Sequence, residues 1–260
     1  MRNNIRNKIK VISILFVLLA LFGSYVSLDW SRLMFFPATE YIEPYPVVRL
    51  FKLISSFLCA FLVWTTFSNK FTSSDSRKIK AAFIVILIGD ASFTFGFQLA
   101  GVIAFAFGQI LLTIRNADGL KQYVQNRLYR RDWVFNAVIG TLIVLINSAA
   151  LYFVFYRTLG FSALFFLFAV YSIVLCLSVW FAWVCIKIDY FDTVNSILIA
   201  LGMSFFFLCD FTVGFNMASP APQTRVIVSS LTWMFYAPAL IMLSLSSYKF
   251  SSFVTREEIC

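Results

Sequence analysis

Two aspartates stand where an oily chain least accommodates a charge. Asp90 lies in "LIGDASFTFGF" (residues 87–97) and Asp210 in "MSFFFLCDFTVGF" (residues 203–215). A charged Asp at the centre of a membrane helix costs at least about 2.5–3.5 kcal/mol on insertion scales. Protonation, hydrogen-bond donors or a polar cavity lowers that cost. Two carboxyl groups sharing one such cavity divide into a neutral acid and a charged base, the pairing that general acid–base chemistry uses. The alternative is that each merely bonds a neighbouring helix. Asp90 and Asp210 are therefore the candidate catalytic residues.

The elements that must position them are read from composition and periodicity. Of 260 residues, 61% are hydrophobic, 32 are Phe and only 13% are charged. A soluble domain carries roughly 25% charge, so the composition indicates a membrane protein. Runs of about 20 apolar residues are long enough to cross the hydrocarbon core as helices, and the short alternating strands of a barrel are absent. The expected fold is all-α and polytopic, a single integral membrane domain over 1–260. Its eight spans fall at about 11–28, 48–67, 80–97, 99–115, 133–156, 162–186, 194–217 and 225–247. The third and fourth form a tight hairpin near Phe97 and Gln98. Segment 29–47 is rich in Pro and Glu, and 116–132 is a basic surface segment. "MRNNIRNKIK" with its long apolar run, lacking a clean small-x-small site, reads as an uncleaved first helix and not a signal peptide.

Charge sets orientation and excludes classes of function. With the N-terminus inside, sixteen of the 21 Lys and Arg fall on the inner side and five on the outer. That bias places both termini in the cytoplasm, and the protein in the cell (inner) membrane. The net charge of +9 is accounted for by these span-end residues, so nucleic acid is not an expected partner. Five cysteines offer no disulfide framework, and four of them lie in apolar spans as small hydrophobes. The chain has no His, which removes the usual zinc sites and Ser/His or Cys/His triads. No metal site is expected.

Helical spacing supplies the neighbours. Both Asp helices run from inside to outside, and each Asp lies about seven residues below the outer end, roughly 10 Å at 1.5 Å per residue. Thr94, four residues after Asp90, shares its face and can donate a hydroxyl. Gly101, Phe105, Gly108 and Leu112 form one stripe of the next helix, with Gln109 beside it. Glycines on such a stripe allow close packing, while Gln109 offers an amide to substrate or to another helix. In the last span Tyr236 faces either the site or the interfacial aromatic belt, and Pro238 allows a kink. Asn147 and Asn216 are candidates for interhelical hydrogen bonds.

These motifs, in this order, resemble the lysoplasmalogenase (YhhN-like) family. "LIGDASF" resembles a Gly-Asp pattern late in the third helix, and "GVIAFAFGQ" a Gly, Phe, Gly-polar stretch in the fourth. "GMSFFFLCD" is similar to a Gly, aromatic, Asp motif in the seventh, and "FYAPALIMLSLS" to a Tyr-containing last helix. The likeness covers roughly residues 80 to 247. The family commonly carries His where this chain has Gln109, and Gln where it has Ala239. The resemblance implies an eight-helix membrane protein in which Asp90 and Asp210 match the two acidic positions. It implies hydrolysis of the vinyl ether bond of lysoplasmalogens, giving a fatty aldehyde and a glycerophospholipid fragment, without a metal or organic cofactor. The partner is then a lysophospholipid, with Gly89, Thr94, Phe105, Gln109 and Tyr236 as substrate-binding candidates. The residues alone leave open a proton-coupled or lipid transporter, or a non-catalytic membrane partner or sensor subunit.

Overall fold

Backbone amides that find no water must bond to one another, so apolar runs of this length become helices. A computed structural model describes residues 2–35, 46–65, 73–118, 120, 130–188, 190–218 and 222–248. Among these residues the chain forms eight helices and no strand. They are α1 (Arg2–Phe35), α2 (Pro46–Thr65), α3 (Ser73–Thr94) and α4 (Gln98–Asn116). α5 runs over Arg130–Ala150 and continues through a π turn at Leu151–Tyr156 into Arg157–Leu159. α6 (Ala163–Val184) closes with a 3-10 turn, and α7 (Thr193–Ala218) and α8 (Pro222–Leu245) complete the set. Six of the eight, α1 and α4 to α8, are long and apolar enough by composition to cross a membrane. The chain is a helical membrane bundle.

Most of the basic segment 116–132, the centre of 29–47, and Cys260 lie outside the described residues.

Six helices close into a ring. α2 packs on α3, α3 on α4, α4 on α6, α6 on α7, α7 on α8, and α8 back on α2. α1 leans on α2 and α8 from one side, and α5 on α6 from the other. Small residues set the spacing. A Cβ added to Gly108 on α4 would stand 2.9 Å from Ile86 on α3, and one on Gly202 of α7 would stand 2.9 Å from Leu243 on α8. Inside the ring, Phe83, Ile86, Phe206, Met203, Leu240 and Leu243 are fully buried.

The α3–α4 hairpin turns at Gly96, whose φ of +87° is a conformation that disfavours a side chain. The Phe97 amide donates to the Ser92 carbonyl at 2.8 Å and closes the turn. α3 therefore ends at Thr94, four residues or about 6 Å beyond Asp90, while α7 runs eight residues, about 12 Å, beyond Asp210.

Among the described residues, two acidic side chains besides Asp90 and Asp210 are buried, both near helix ends. Asp29 and Asp75 are buried within α1 and α3, because each has found donors. Where α3 begins and α4 ends, Arg115 Nε donates to Asp75 Oδ1 at 2.6 Å, with both side chains out of contact with solvent. The same guanidinium donates to the Ser246 hydroxyl at 2.9 Å and to the Ser246 carbonyl at 3.1 Å, and covers the Phe191 ring at 4.9 Å. Asn195 donates to the carbonyls of Ser246 and Tyr248 at 3.0 and 2.6 Å. This end of the ring is closed by a polar knot joining α3, α4, α7 and the end of α8.

Removing one partner of a buried ion pair strands the other, at a cost of about 3–5 kcal/mol. Arg115→Met should lower the thermal unfolding midpoint in detergent accordingly. Asp75→Leu combined with Arg115→Met should recover part of the loss. A single variant melting with the wild type would show that the pair contributes nothing.

Candidate active site

Five of the six ring helices, and α2 at its edge, send one or two polar groups inward among rings. α3 carries Asp90 and α7 carries Asp210, 6% and 8% exposed. Each carboxyl receives a tyrosine hydroxyl from a different helix. Tyr236 of α8 donates to Asp90 Oδ2 at 2.7 Å. Tyr171 of α6 donates to Asp210 Oδ2 at 2.6 Å. Both distances are ordinary for O–H···O hydrogen bonds.

Behind Asp210 the network continues. Gln109 Nε2 reaches Asp210 Oδ2 at 3.4 Å, and the Ser178 hydroxyl donates to Gln109 Oε1 at 3.0 Å, which fixes which end of the amide faces the acid. Tyr171 and Ser178 are seven residues apart, two turns on one face of α6, so one helix anchors the carboxyl twice. On the other side, Ser56 of α2 donates to the Lys52 carbonyl of its own helix at 3.3 Å. Phe105 of α4 touches Gly89, beside Asp90, and lines the same cavity as Asp210.

Aromatic packing separates the two carboxyls. Phe105 stacks on Phe93 at 5.6 Å between centroids and meets Phe206 and Tyr236 edge-on at 6.0 and 5.9 Å. Phe206 in turn meets Tyr236 at 5.5 Å. Gly89 makes room for this arrangement, since a Cβ there would stand 3.2 Å from the Phe105 ring. An alanine at that position would displace the Phe105 ring by a few tenths of an ångström.

A cavity opens on the Asp210 side. Its free volume is about 40 Å³, well below the roughly 300–1,000 Å³ usual for ligand sites, so it is a small crevice as it stands. Its walls are mainly Phe, Leu and Val, and its polar groups are Asp210, Tyr171, Ser172 and Asn147. Asn147 Nδ2 donates to Ser172 Oγ at 3.1 Å, so it is an interhelical bond and a lining group at once. The π turn of α5 contributes Leu151 and Phe155 to the wall, and Gly214 of α7 receives the Phe155 ring at 3.1 Å from its Cβ position. α6 packs on both α4 and α5, and residues of all three helices line the cavity.

Of the residues expected from sequence, Asp90, Asp210, Gln109, Tyr236, Phe105 and Gly89 meet in this centre. Thr94 does not serve the carboxyl: its hydroxyl bonds back to the Asp90 carbonyl at 2.8 Å. Tyr171, Ser178 and Phe206 were not anticipated. The seven-residue spacing of Tyr171 and Ser178 was the available signal for two of them. Among the described residues no three His, Cys, Asp or Glu side chains gather as metal ligands.

Compared with known proteins, residues 47–247 match the family model described as the YhhN family. That stretch takes in nearly all of α2 and everything from α3 to the end of α8. No curated protein and no solved structure matches.

Tyr171→Phe removes the short bond to Asp210 and leaves it the longer one from Gln109. The loss should cost about 1–3 kcal/mol of stability, the penalty for an unsatisfied buried acceptor. Gln109→Leu should cost less. Thermal unfolding of the two variants in detergent checks the order, and a Tyr171→Phe protein as stable as wild type would assign Asp210 to another donor.

Proposed function

The chain belongs to the YhhN family, a lysoplasmalogenase-like group of membrane proteins, and from that premise we propose that it hydrolyses the vinyl ether bond of a lysoplasmalogen. The observation that carries the reading is the pair of buried carboxyls, each held by its own tyrosine and one of them facing an apolar cavity.

Vinyl ether hydrolysis starts with a proton delivered to the alkene carbon remote from the ether oxygen. The π electrons form the new C–H bond, and the adjacent carbon becomes an oxocarbenium ion. Water adds to that carbon and loses a proton to a base, giving a hemiacetal. The hemiacetal hydroxyl then gives its proton to one carboxylate as the C–O bond to glycerol breaks and the other carboxyl protonates the leaving oxygen, releasing a fatty aldehyde and a glycerophospholipid fragment. One neutral carboxyl and one carboxylate supply every proton movement, and the carboxylate also stabilises the cation. The logic parallels the two carboxyls of glycoside hydrolysis. Tyr171 and Tyr236 orient the pair, and Gln109 holds Asp210 from the other side. The alkenyl chain enters beside Asp210 as the apolar rings that line the crevice move apart.

Transport is less well supported. A transporter opens its site to both sides in turn, whereas the Arg115–Asp75 knot closes one end of the ring. By the charge count that is the cytoplasmic end, so the site faces the outer half of the bilayer.

Purified protein should release aldehyde from lysoplasmenyl-ethanolamine or -choline. Asp90→Asn and Asp210→Asn, at equal folded yield, should each lose at least about 10²-fold, the low end for removing a general acid or base. Well-folded wild type releasing no aldehyde would reject the vinyl ether reading.

A further inference from the structure

The crevice beside Asp210 is too small for a lipid chain at rest, but it is not too small for water. A buried water needs roughly 10–15 Å³ of such space and two to four polar partners. The crevice offers about 40 Å³, and the polar side chains on its wall are Asp210, Tyr171, Ser172 and Asn147. That is room for about three waters, with partners to hold them. A wholly apolar void of this size would stay dry.

Two oxygens of these side chains accept no hydrogen bond among the described residues. Tyr171 and Gln109 both donate to Asp210 Oδ2, which leaves Asp210 Oδ1 without a donor. The second oxygen is on Asn147, which is only 9% exposed although its neighbours Val144, Leu145 and Ile146 are each more than half exposed. Ser172 uses its one hydroxyl proton on the Ala169 carbonyl at 2.8 Å, so toward Asn147 it can only accept. The Asn147 amide therefore turns Nδ2 to Ser172, at 3.1 Å, and its Oδ1 is left without a donor. Ser172 directly follows Tyr171, the residue that holds Asp210, so the amide is fixed next to that anchor.

We propose that Asn147, with Ser172 behind it, positions the hydrolytic water on Asp210. Asp210 Oδ1 and Asn147 Oδ1 are both acceptors, so a water between them gives one proton to each. Its lone pairs then point away from both, toward the lipid. Attack forms the new C–O bond from one of those pairs, and the π pair of the oxocarbenium ion returns to the ether oxygen. The proton bonded to Asp210 Oδ1 transfers to it, and the hemiacetal results. The lipid chain parts the rings of the wall and leaves the amide and its water in place. The inference rests on the vinyl ether reading and divides its labour. Asp210, which lines the crevice, is the base, and Asp90, which does not, is the acid. Asn147 is a positioning residue.

A crystal structure of the full chain, at a resolution that shows waters, tests the site without turnover. Wild type should hold a water touching Asp210 Oδ1 and Asn147 Oδ1, and Asn147→Leu should lack it. Turnover in D2O tests the role. In wild type the held water captures the cation before it returns its proton, so recovered lipid gains no deuterium on its alkene carbon. Asn147→Leu should lower kcat about tenfold, the scale of one hydrogen bond, leave KM unchanged and return lipid deuterated at that carbon. Ser172→Ala, which frees the amide but keeps its oxygen, should lose less and exchange less, and it carries the test if Asn147→Leu does not fold. A dry wild-type crevice, or an unchanged kcat in the variants, would overturn the proposal. So would a lower kcat with no deuterium in the recovered lipid, the result for an amide that only joins α5 to α6. An ordered water without aldehyde release by wild type would uphold the water site and reject only the vinyl ether chemistry. Aldehyde release with a dry crevice would do the reverse.

Discussion

A carboxyl group inside an apolar bundle must be given donors by its neighbours, and this requirement organises the centre of the protein. Neither Asp90 nor Asp210 has a donor on its own helix. Asp90 depends on α8, Asp210 on α6 and α4. The two acids are satisfied when α4, α6 and α8 are in register with α3 and α7. Packing of these five helices and satisfaction of the acids are one condition. The helices outside the ring, α1 and α5, supply nothing to either carboxyl and instead shape what surrounds them.

The aromatic partition gives the two acids different surroundings. Phe105 fills the space that Gly89 leaves open, and its edges rest on Phe206 and Tyr236. On one side Asp210 borders an apolar crevice walled by residues of α4, α5, α6 and α7. On the other, Asp90 is held by the Tyr236 hydroxyl. The two acids can therefore take different parts in one reaction.

The helical membrane bundle was legible because long apolar runs leave a chain few other options. The acid pair was legible because carboxyls are so costly in such runs that any present must be explained. Tyr171 and Ser178 escaped notice for the opposite reason: hydroxyls are cheap in a span, and "AVYSIVLCLS" differs little from ordinary lipid-facing sequence. Asp75 and Arg115 were hidden by their place at helix ends, where water normally solvates charge. Their pairing requires knowing that α3 starts at Ser73 and that α4 returns beside it. Tyr236 could be read either as belt or as site, and only the register between α3 and α8 decides. Depth was the weakest inference, since helices that overshoot the bundle by different amounts shift any count taken from their ends.

The turn at Gly96 bears on how the protein gets into its membrane. α3 has Asp75, Arg77, Lys78 and Lys80 in its first turns and Asp90 further on, and it is not among the helices apolar enough to cross unaided. The tight turn ties it to α4, which is. The two charged ends of this hairpin also neutralise each other: Asp75 pairs with Arg115, and Lys78 with Asp118. The insertion cost of roughly 2.5–3.5 kcal/mol for a charge at the centre of a span falls on Asp90; the paired charges stay at the hairpin base. The natural unit of membrane integration here is therefore the helix pair, delivered as one body, with Asp90 carried in under the cover of its partner.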